Sequence, residues 1–375
     1  MIKKILLNFI LIFFLSLVII LIVLSTIGIE TKKFNKLISS KINQTNKIQL
    51  ELNTINFKLD PKKLSLFLET QNPKLNYKDI KIPVKNVKVY IDFLSLLLTD
   101  PKIEKTTLSF EEIDIVQLNK LSVLIKPSNL KSLINNKIKK GKLISEIEIF
   151  LNNSGMLENF IAKGTIKNMD ASLIDGINLK NTNLDFFTDK NDTLIKNIFG
   201  YINNIKISDG DIKLNLDNGI KLNSNFNSKI DLNEDSLIDY LKILKKFGFA
   251  ENVIGFKANL NNTLYLNFDQ TFKVTDYNYS ISGNVEKGEF ELLKPFKNHF
   301  ISEKINKIYF SNLELKTIFL PKKINSYVVG KYSFNNLDYF KINFENEIFK
   351  DILNLKIDFD FNNQFKIDFI NYEKS

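Results

Sequence analysis

The chain has 375 residues and 52 basic side chains, all of them lysine, against 42 acidic ones, for a formal net charge of +10. Without arginine or cysteine and with one histidine, it lacks the flat guanidinium that reads bases and phosphates in pairs, has no thiol chemistry, and offers a single imidazole for catalysis. The lysines are scattered through alternating stretches, which points to solvated outer faces of strands and away from a nucleic-acid partner.

Residues 5–29 are almost unbroken Ile, Leu, Phe and Val, interrupted by Asn8, Ser16, Ser25, Thr26 and Gly28 and free of charge. A run of about 20 apolar residues crosses a bilayer as a helix, so residues 1–30 are expected to form a single membrane anchor. A cleaved signal peptide is the competing reading. Its apolar core would be about 7–15 residues, ending in a small-residue site, and Ser25-Thr26-Ile27-Gly28 is a loose match. Lys3 and Lys4 precede the run while Lys32, Lys33 and Lys36 come after it. The short N-terminal stub cannot hold a domain, so the expected orientation puts it in the cytoplasm and residues 31–375 outside.

Phe34, Leu37, Ile38 and Ile42 recur at helical spacing and predict a short amphipathic helix. From residue 48 the period is two. Ile55, Phe57 and Leu59, a turn at Asp60-Pro61, and Leu64, Leu66 and Leu68 predict a hairpin. Val87, Val89 and Ile91 share one face, residues 93–98 read as a buried helical turn, and Leu108, Phe110, Ile113 and Ile115 resume the alternation in a β region over 31–118. Residues 119–142 read as a helical connector, with Pro127-Ser128 capping a helix over Leu130, Leu133, Ile134 and Ile138.

Over 143–375 the alternation dominates, beginning with Ile147, Ile149 and Leu151 and a turn at 152–155. Ile212, Leu214 and Leu216, then Asp217-Asn218-Gly219, then Ile220, Leu222 and Phe226 form the cleanest hairpin signal. Phe256, Ala258 and Leu260 lead through a turn at Asn261-Asn262 to Leu264, Leu266 and Phe268, and Tyr277, Tyr279 and Ile281 come next. Leu353, Leu355, Ile357, Phe359 and Phe361, a turn at Asn362-Asn363, and Phe365, Ile367 and Phe369 close the chain. Two segments break the period: 235–248, an amphipathic helix ending at Gly248, and 290–306, a weaker helical pattern. Gly164, Gly210, Gly283 and Gly330 each sit ahead of an alternating stretch, as if marking strand starts.

These elements predict a mainly β fold, an antiparallel sheet with a few short helices behind one N-terminal transmembrane helix. The stretch 48–115, with Asp60-Pro61, Val87-Lys88-Val89-Tyr90-Ile91-Asp92 and Phe93-Leu94-Ser95-Leu96-Leu97-Leu98, resembles the start of the AsmA-like proteins. The resemblance implies an elongated, twisted β-groove in the periplasm of a Gram-negative bacterium. It would be anchored in the inner membrane through residues 5–29 and carry phospholipid toward the outer membrane. In such a groove one residue in two faces the apolar lining, which assigns it Ile212, Leu214, Leu216, Ile220, Leu222, Phe226, Leu353, Leu355, Ile357, Phe359 and Phe361.

A closed sandwich or barrel would give the same period, and the alternation alone leaves the two open. An enzyme is disfavoured: His299 in Lys297-Asn298-His299-Phe300 has no recognisable Ser or Asp partner motif, and the carboxylates lie in the solvent-facing register. No cofactor or metal site is expected. A tethered scaffold or assembly factor for outer-membrane proteins, offering a strand edge to an envelope partner, is the alternative the residues do not separate from lipid transfer.

Overall fold

A computed structural model describes residues 2–31, 48–91, 103–122, 135–232, 253–298, 301–350, 352–361, 365–367 and 372–374, apart from gaps at 53, 62–64, 78–79, 153–155, 175–176, 217–218 and 270–272. The expected helices at Phe34–Ile42 and 235–248, the turn at 93–98, His299 and Phe369 lie outside them. The fold is mainly β, with 18 strands in one large antiparallel sheet behind an apolar N-terminal helix. By its contacts the chain divides into two units, 1–167 with 186–190, and 168–185 with 191–375.

In the first unit, helix α1 (Ile2–Thr26) contains the one described segment long and apolar enough to cross a membrane, Asn8–Thr26, with a mean hydropathy of 3.1. It ends earlier than the apolar run because Gly28 caps it. The N–H groups of Ile27 and Gly28 both donate to Val23 O (3.0 and 2.8 Å), and Gly28 takes a left-handed φ of +75°. A Cβ there would sit 2.8 Å from Phe57 O. Residues 29 and 30, expected in the anchor, instead open β1 (Ile29–Thr31), which pairs with β3 (Ile55–Asp60) in the register Ile29 to Phe57 and Thr31 to Ile55. The helix therefore feeds straight into the sheet.

β3 forms the expected hairpin with β4 (Ser65–Gln71), and β2 (Ile48–Glu51), β5 (Lys74–Tyr77) and β6 (Ile80–Ile82) make a small sheet of their own. β7 (Val84–Ile91) and β8 (Ile103–Phe110) extend the order β3-β4-β7-β8. Ile55, Leu68 and Ile91 are the buried centre of one face, packed by Phe57 and Val89. On the other face Glu69 is buried beside Lys58 (2.8 Å) and Lys88 (3.7 Å) and accepts from Asn86 Nδ2 (2.5 Å).

After β9 (Ile113–Asp114) the expected strand through Ile115 does not continue. Asp114 Oδ1 accepts from Gln117 N (2.8 Å), an N-cap that starts helix α2 (Ile115–Ser122). Of the helix expected over 130–138, Ile138 instead begins β10 (Ile138–Leu151), which pairs with β8 and β9; residues 123–134 lie outside the described ones. β11 (Leu157–Ile174) and β12 (Ile177–Thr188) carry residues of both units.

The second unit is an antiparallel meander in which each strand pairs with the next: β13 (Asp192–Ile202), β14 (Ile205–Asn215), β15 (Ile220–Leu232), β16 (Val253–Phe268), β17 (Val274–Asn298), β18 (Ile301–Leu320), β19 (Lys323–Phe334), β20 (Phe340–Phe349) and β21 (Ile352–Phe359). A short hairpin, β22 (Phe365–Ile367) with β23 (Tyr372–Lys374), comes last.

Three expectations fail in this unit. Asn261-Asn262 is no turn but the middle of β16, whose register with β15 runs unbroken from Phe256 to Phe268. Of the helical pattern at 290–306, the described residues 290–298 and 301–306 are strand instead: Phe290 pairs with Ile308 and Glu291 with Lys307, so the cross-strand ladder overrides a weak local period. Gly210, Gly283 and Gly330, like Gly164 in the first unit, lie inside strands rather than at their starts, at places where a neighbouring strand crowds them: a Cβ at Gly330 would lie 2.7 Å from Asn312 O, and one at Gly210 2.7 Å from Ile198 Cβ.

Candidate functional site

Between bulges, strands in this unit alternate, so each places one set of side chains on one face and the other set on the opposite face. On β15 the set Ile220, Leu222, Ser224, Phe226, Ser228, Ile230 and Leu232 is buried or half-buried, and every residue between them is exposed. The pairing carries this face across the whole meander. One row runs Ile195, Ile212, Ser224, Leu264, Tyr279, Phe319, Ile324, Ile348, Leu353, each residue directly opposite the next on successive strands from β13 to β21. A parallel row runs Ser228, Leu260, Gly283, Leu315, Val328, Phe344, Ile357.

Bulges keep the face apolar where the sequence slips out of phase. Asn197, Asp209 and Asn312 take left-handed φ values of 53°, 52° and 50°, and the register shifts at each of them. An extra residue reverses the parity of the rest of its strand. Thus Ile207 precedes Asp209 at odd positions while Gly210, Ile212 and Leu214 come after it at even ones, and all face the same way, since Gly200 pairs with Ile207 and Ile198 with Gly210.

The expected lining residues divide between two groups of strands and two strand ends. Ile212 and Leu214 on β14, Ile220, Leu222 and Phe226 on β15, and Leu353, Leu355, Ile357 and Phe359 on β21 share this one face, although the two groups are far apart in sequence. Leu216 lies one residue past β14 and is 46% exposed, and Phe361 lies past β21 with its ring 6.5 Å from that of Phe359. The intervening strands supply Leu264, Phe319, Ile324 and Ile348, which complete the row.

Aromatic side chains on this face reach across the strand between them. Tyr332 on β19 and Phe359 on β21 are two strands apart, a backbone separation of about 9.6 Å if the sheet were flat. Their ring centroids are 6.1 Å apart, and the Tyr332 hydroxyl donates to Asp360 O (2.7 Å). Burial, reinforced by the Asp360 charge, pushes the Tyr332 hydroxyl up to about 12. The cluster of Ala258, Leu260, Val285 and Leu313 is packed by Ile230, Phe256, Ile281, Phe310, Leu315, Val328 and Ile342, all from the same face. Toward β21 that face opens: Leu353, Leu355 and Phe359 are 58%, 49% and 55% exposed. The opposite face carries cross-strand ion pairs such as Lys257 with Glu286 (2.9 Å) and, within β21, Lys356 with Asp358 (3.3 Å).

What sequence reasoning missed is that one row of the apolar face, Phe226, Asn262, Ile281, Thr317, Ser326, Asn346, Leu355, carries four polar side chains, three of them consecutive. Asn262, 5% exposed, donates to Ser228 Oγ (3.0 Å), Phe226 O (3.3 Å) and Leu260 O (3.3 Å), and its Oδ1 accepts from the Tyr279 hydroxyl (2.8 Å). Burial raises the Tyr279 pKa. These bonds explain why Asn262 stays in a strand. The available signal was parity, because Asn262 stands in phase with Leu260 and Leu264.

Among the described residues no group of three His, Asp or Glu side chains is placed to hold a metal ion. Comparison with family models, with curated proteins and with solved structures returned no match.

Proposed function

We propose that this chain is a membrane-anchored lipid-binding protein of the AsmA-like kind. In this reading the apolar face of β13 to β21 holds acyl chains as phospholipid moves between inner and outer membranes, with the β region in the periplasm and no catalytic step. The observation that carries the reading is the continuous, mostly apolar row from Ile195 to Leu353, polar only at Ser224 and the Tyr279 hydroxyl, on a chain that also bears a helix able to span a bilayer.

The dimensions suit the cargo. Eight steps between strands at about 4.8 Å give a row of about 38 Å along the sheet, against about 15 Å for the chains of one leaflet, half of a hydrocarbon core of about 30 Å. Each methylene taken out of water is worth about 0.8 kcal/mol, and headgroups can remain in solvent at the open side. The helix cap at Gly28 and the pairing of β1 with β3 join the anchor to the sheet without a long tether.

Photocrosslinkers placed in cells test this. Leu214 and Phe359 lie on the apolar face, and Lys213 and Asp358 are their neighbours on the other. The expected outcome is lipid captured from the first pair and none from the second. Protein alone captured from both faces would overturn lipid transfer in favour of a scaffold for outer-membrane proteins.

A further inference from the structure

Three adjacent strands contribute consecutive polar residues to a face that around them is made of Ile, Leu, Val and Phe. Thr317 on β18 is opposite Ser326 on β19, which is opposite Asn346 on β20. Apolar rows flank them on both sides: Phe319, Ile324 and Ile348 on one, Leu315, Val328 and Phe344 on the other. Along a strand each flanking row lies two residues away, about 6.8 Å.

The rung is incompletely satisfied from within. Thr317 Oγ1 donates to Ser326 Oγ (3.2 Å), which leaves the Ser326 hydroxyl its own proton to give. Asn346 Oδ1 is buried without a donor, although the residue itself is partly exposed. A buried carbonyl oxygen without a partner is unfavourable. The terminal torsion of Asn is soft, so a small turn of the amide presents that oxygen at the open side of the face. Asn262, two strands away from Thr317 in the same row, shows the contrasting case, a polar side chain saturated by its own sheet.

Within the lipid-binding reading, we propose that Thr317, Ser326 and Asn346 form a hydrogen-bonding subsite for a hydroxyl or amide carried within the hydrocarbon part of the lipid. The complementarity is specific. Such a group both donates and accepts, so its hydrogen goes to Asn346 Oδ1 and its oxygen receives the Ser326 proton, while hydrocarbon on either side of it lies on the flanking rows. A plain acyl chain crossing the rung leaves both protein groups unpaired. Over an entirely apolar face the preference is reversed, because the ligand's own polar group would then lose its water without replacement.

A matched pair of probes tests this: stearate and 12-hydroxystearate, which differ by one hydroxyl, each displacing a fluorescent octadecanoate from the full chain held in amphipol. The expected result is a preference of wild type for the hydroxylated acid. The ratio of the two affinities should fall by about tenfold, equivalent to about 1.4 kcal/mol, in the variant carrying Ser326→Ala and Asn346→Leu, and part-way in Ser326→Ala alone, the smaller change for the fold. An affinity ratio that is the same in wild type and both variants overturns the subsite while leaving lipid binding in place. Failure of both acids to displace the probe from wild type overturns the lipid reading and the subsite with it.

Discussion

Gly283 is where the close packing of β17 on β16 can be tested by a single methyl group. It lies on β17 between Leu260 and Leu315, with φ of +151°, and a Cβ there would run into Asn259 O, with Leu260 Cα at 3.0 Å and the Asn259 carbonyl carbon at 3.2 Å. All three obstacles are backbone of β16, held by a ladder on both sides, so none can swing away as a side chain would. Gly283→Ala therefore adds a strained backbone conformation, about 1–3 kcal/mol, to an overpacked contact, again about 1–3 kcal/mol. The combined loss is about 3 kcal/mol or more. Gly255, on β16, is the control, since its added Cβ would meet Glu289 Cβ at an ordinary 3.6 Å and its φ is not left-handed. There alanine only narrows the unfolded ensemble and stabilises by about 0.4–1 kcal/mol. Because two units need not unfold together, the assay is hydrogen exchange of the β16 and β17 amides in the full chain. Protection should fall in Gly283→Ala and hold or rise in Gly255→Ala. Equal protection in Gly283→Ala and wild type would refute the close approach of β16 and β17 at this glycine.

Three further outcomes rest on the same geometry. Ile357→Asp, on the open part of the face, should lower lipid capture from a crosslinker at Phe359 by about thirtyfold, for about 2 kcal/mol of lost apolar contact, whereas Asn354→Asp on the opposite face should leave it unchanged. In the first unit, burial works to raise the Glu69 carboxyl, and the hydrogen bonds from Lys58 and Asn86 with the charges of Lys58 and Lys88 outweigh it, holding it below the usual range. Its contribution is then present above the unfolded value of about 4.3 and lost as pH falls through the lower folded value. Glu69→Gln should cost about 3 kcal/mol at neutral pH, with the gap to wild type closing in acid, read by thermal unfolding against pH. For Tyr332, a folded value of about 12 above the ordinary 10 means stability that is full below pH 10 and lost between the two. Its phenolate absorbance should appear only near the upper value, and Tyr332→Phe should remove that late step.

The local pattern and the tertiary pairing contributed different parts of this protein. An N-terminal helix long and apolar enough to cross a membrane, the strand content and the facing of individual runs were legible in the residues. An uncharged apolar stretch of that length favours one continuous helix, and alternation in Ile212 to Leu214 or Leu353 to Phe359 commits each run to presenting one greasy side. That the two runs share a face was not legible, because it depends on the register of every strand between them and on the parity reversals at Asn197, Asp209 and Asn312, where an Asn or Asp that tolerates left-handed φ absorbs an extra residue. The same dependence explains the failures. Asn262 carries the composition of a turn, and glycines read as strand starts, until the neighbouring strand supplies hydrogen bonds to the first and crowds the second. Period and polarity are properties of a segment, whereas the continuity of a face and the polar rung within it are properties of a cross-strand ladder, formed only when distant segments meet.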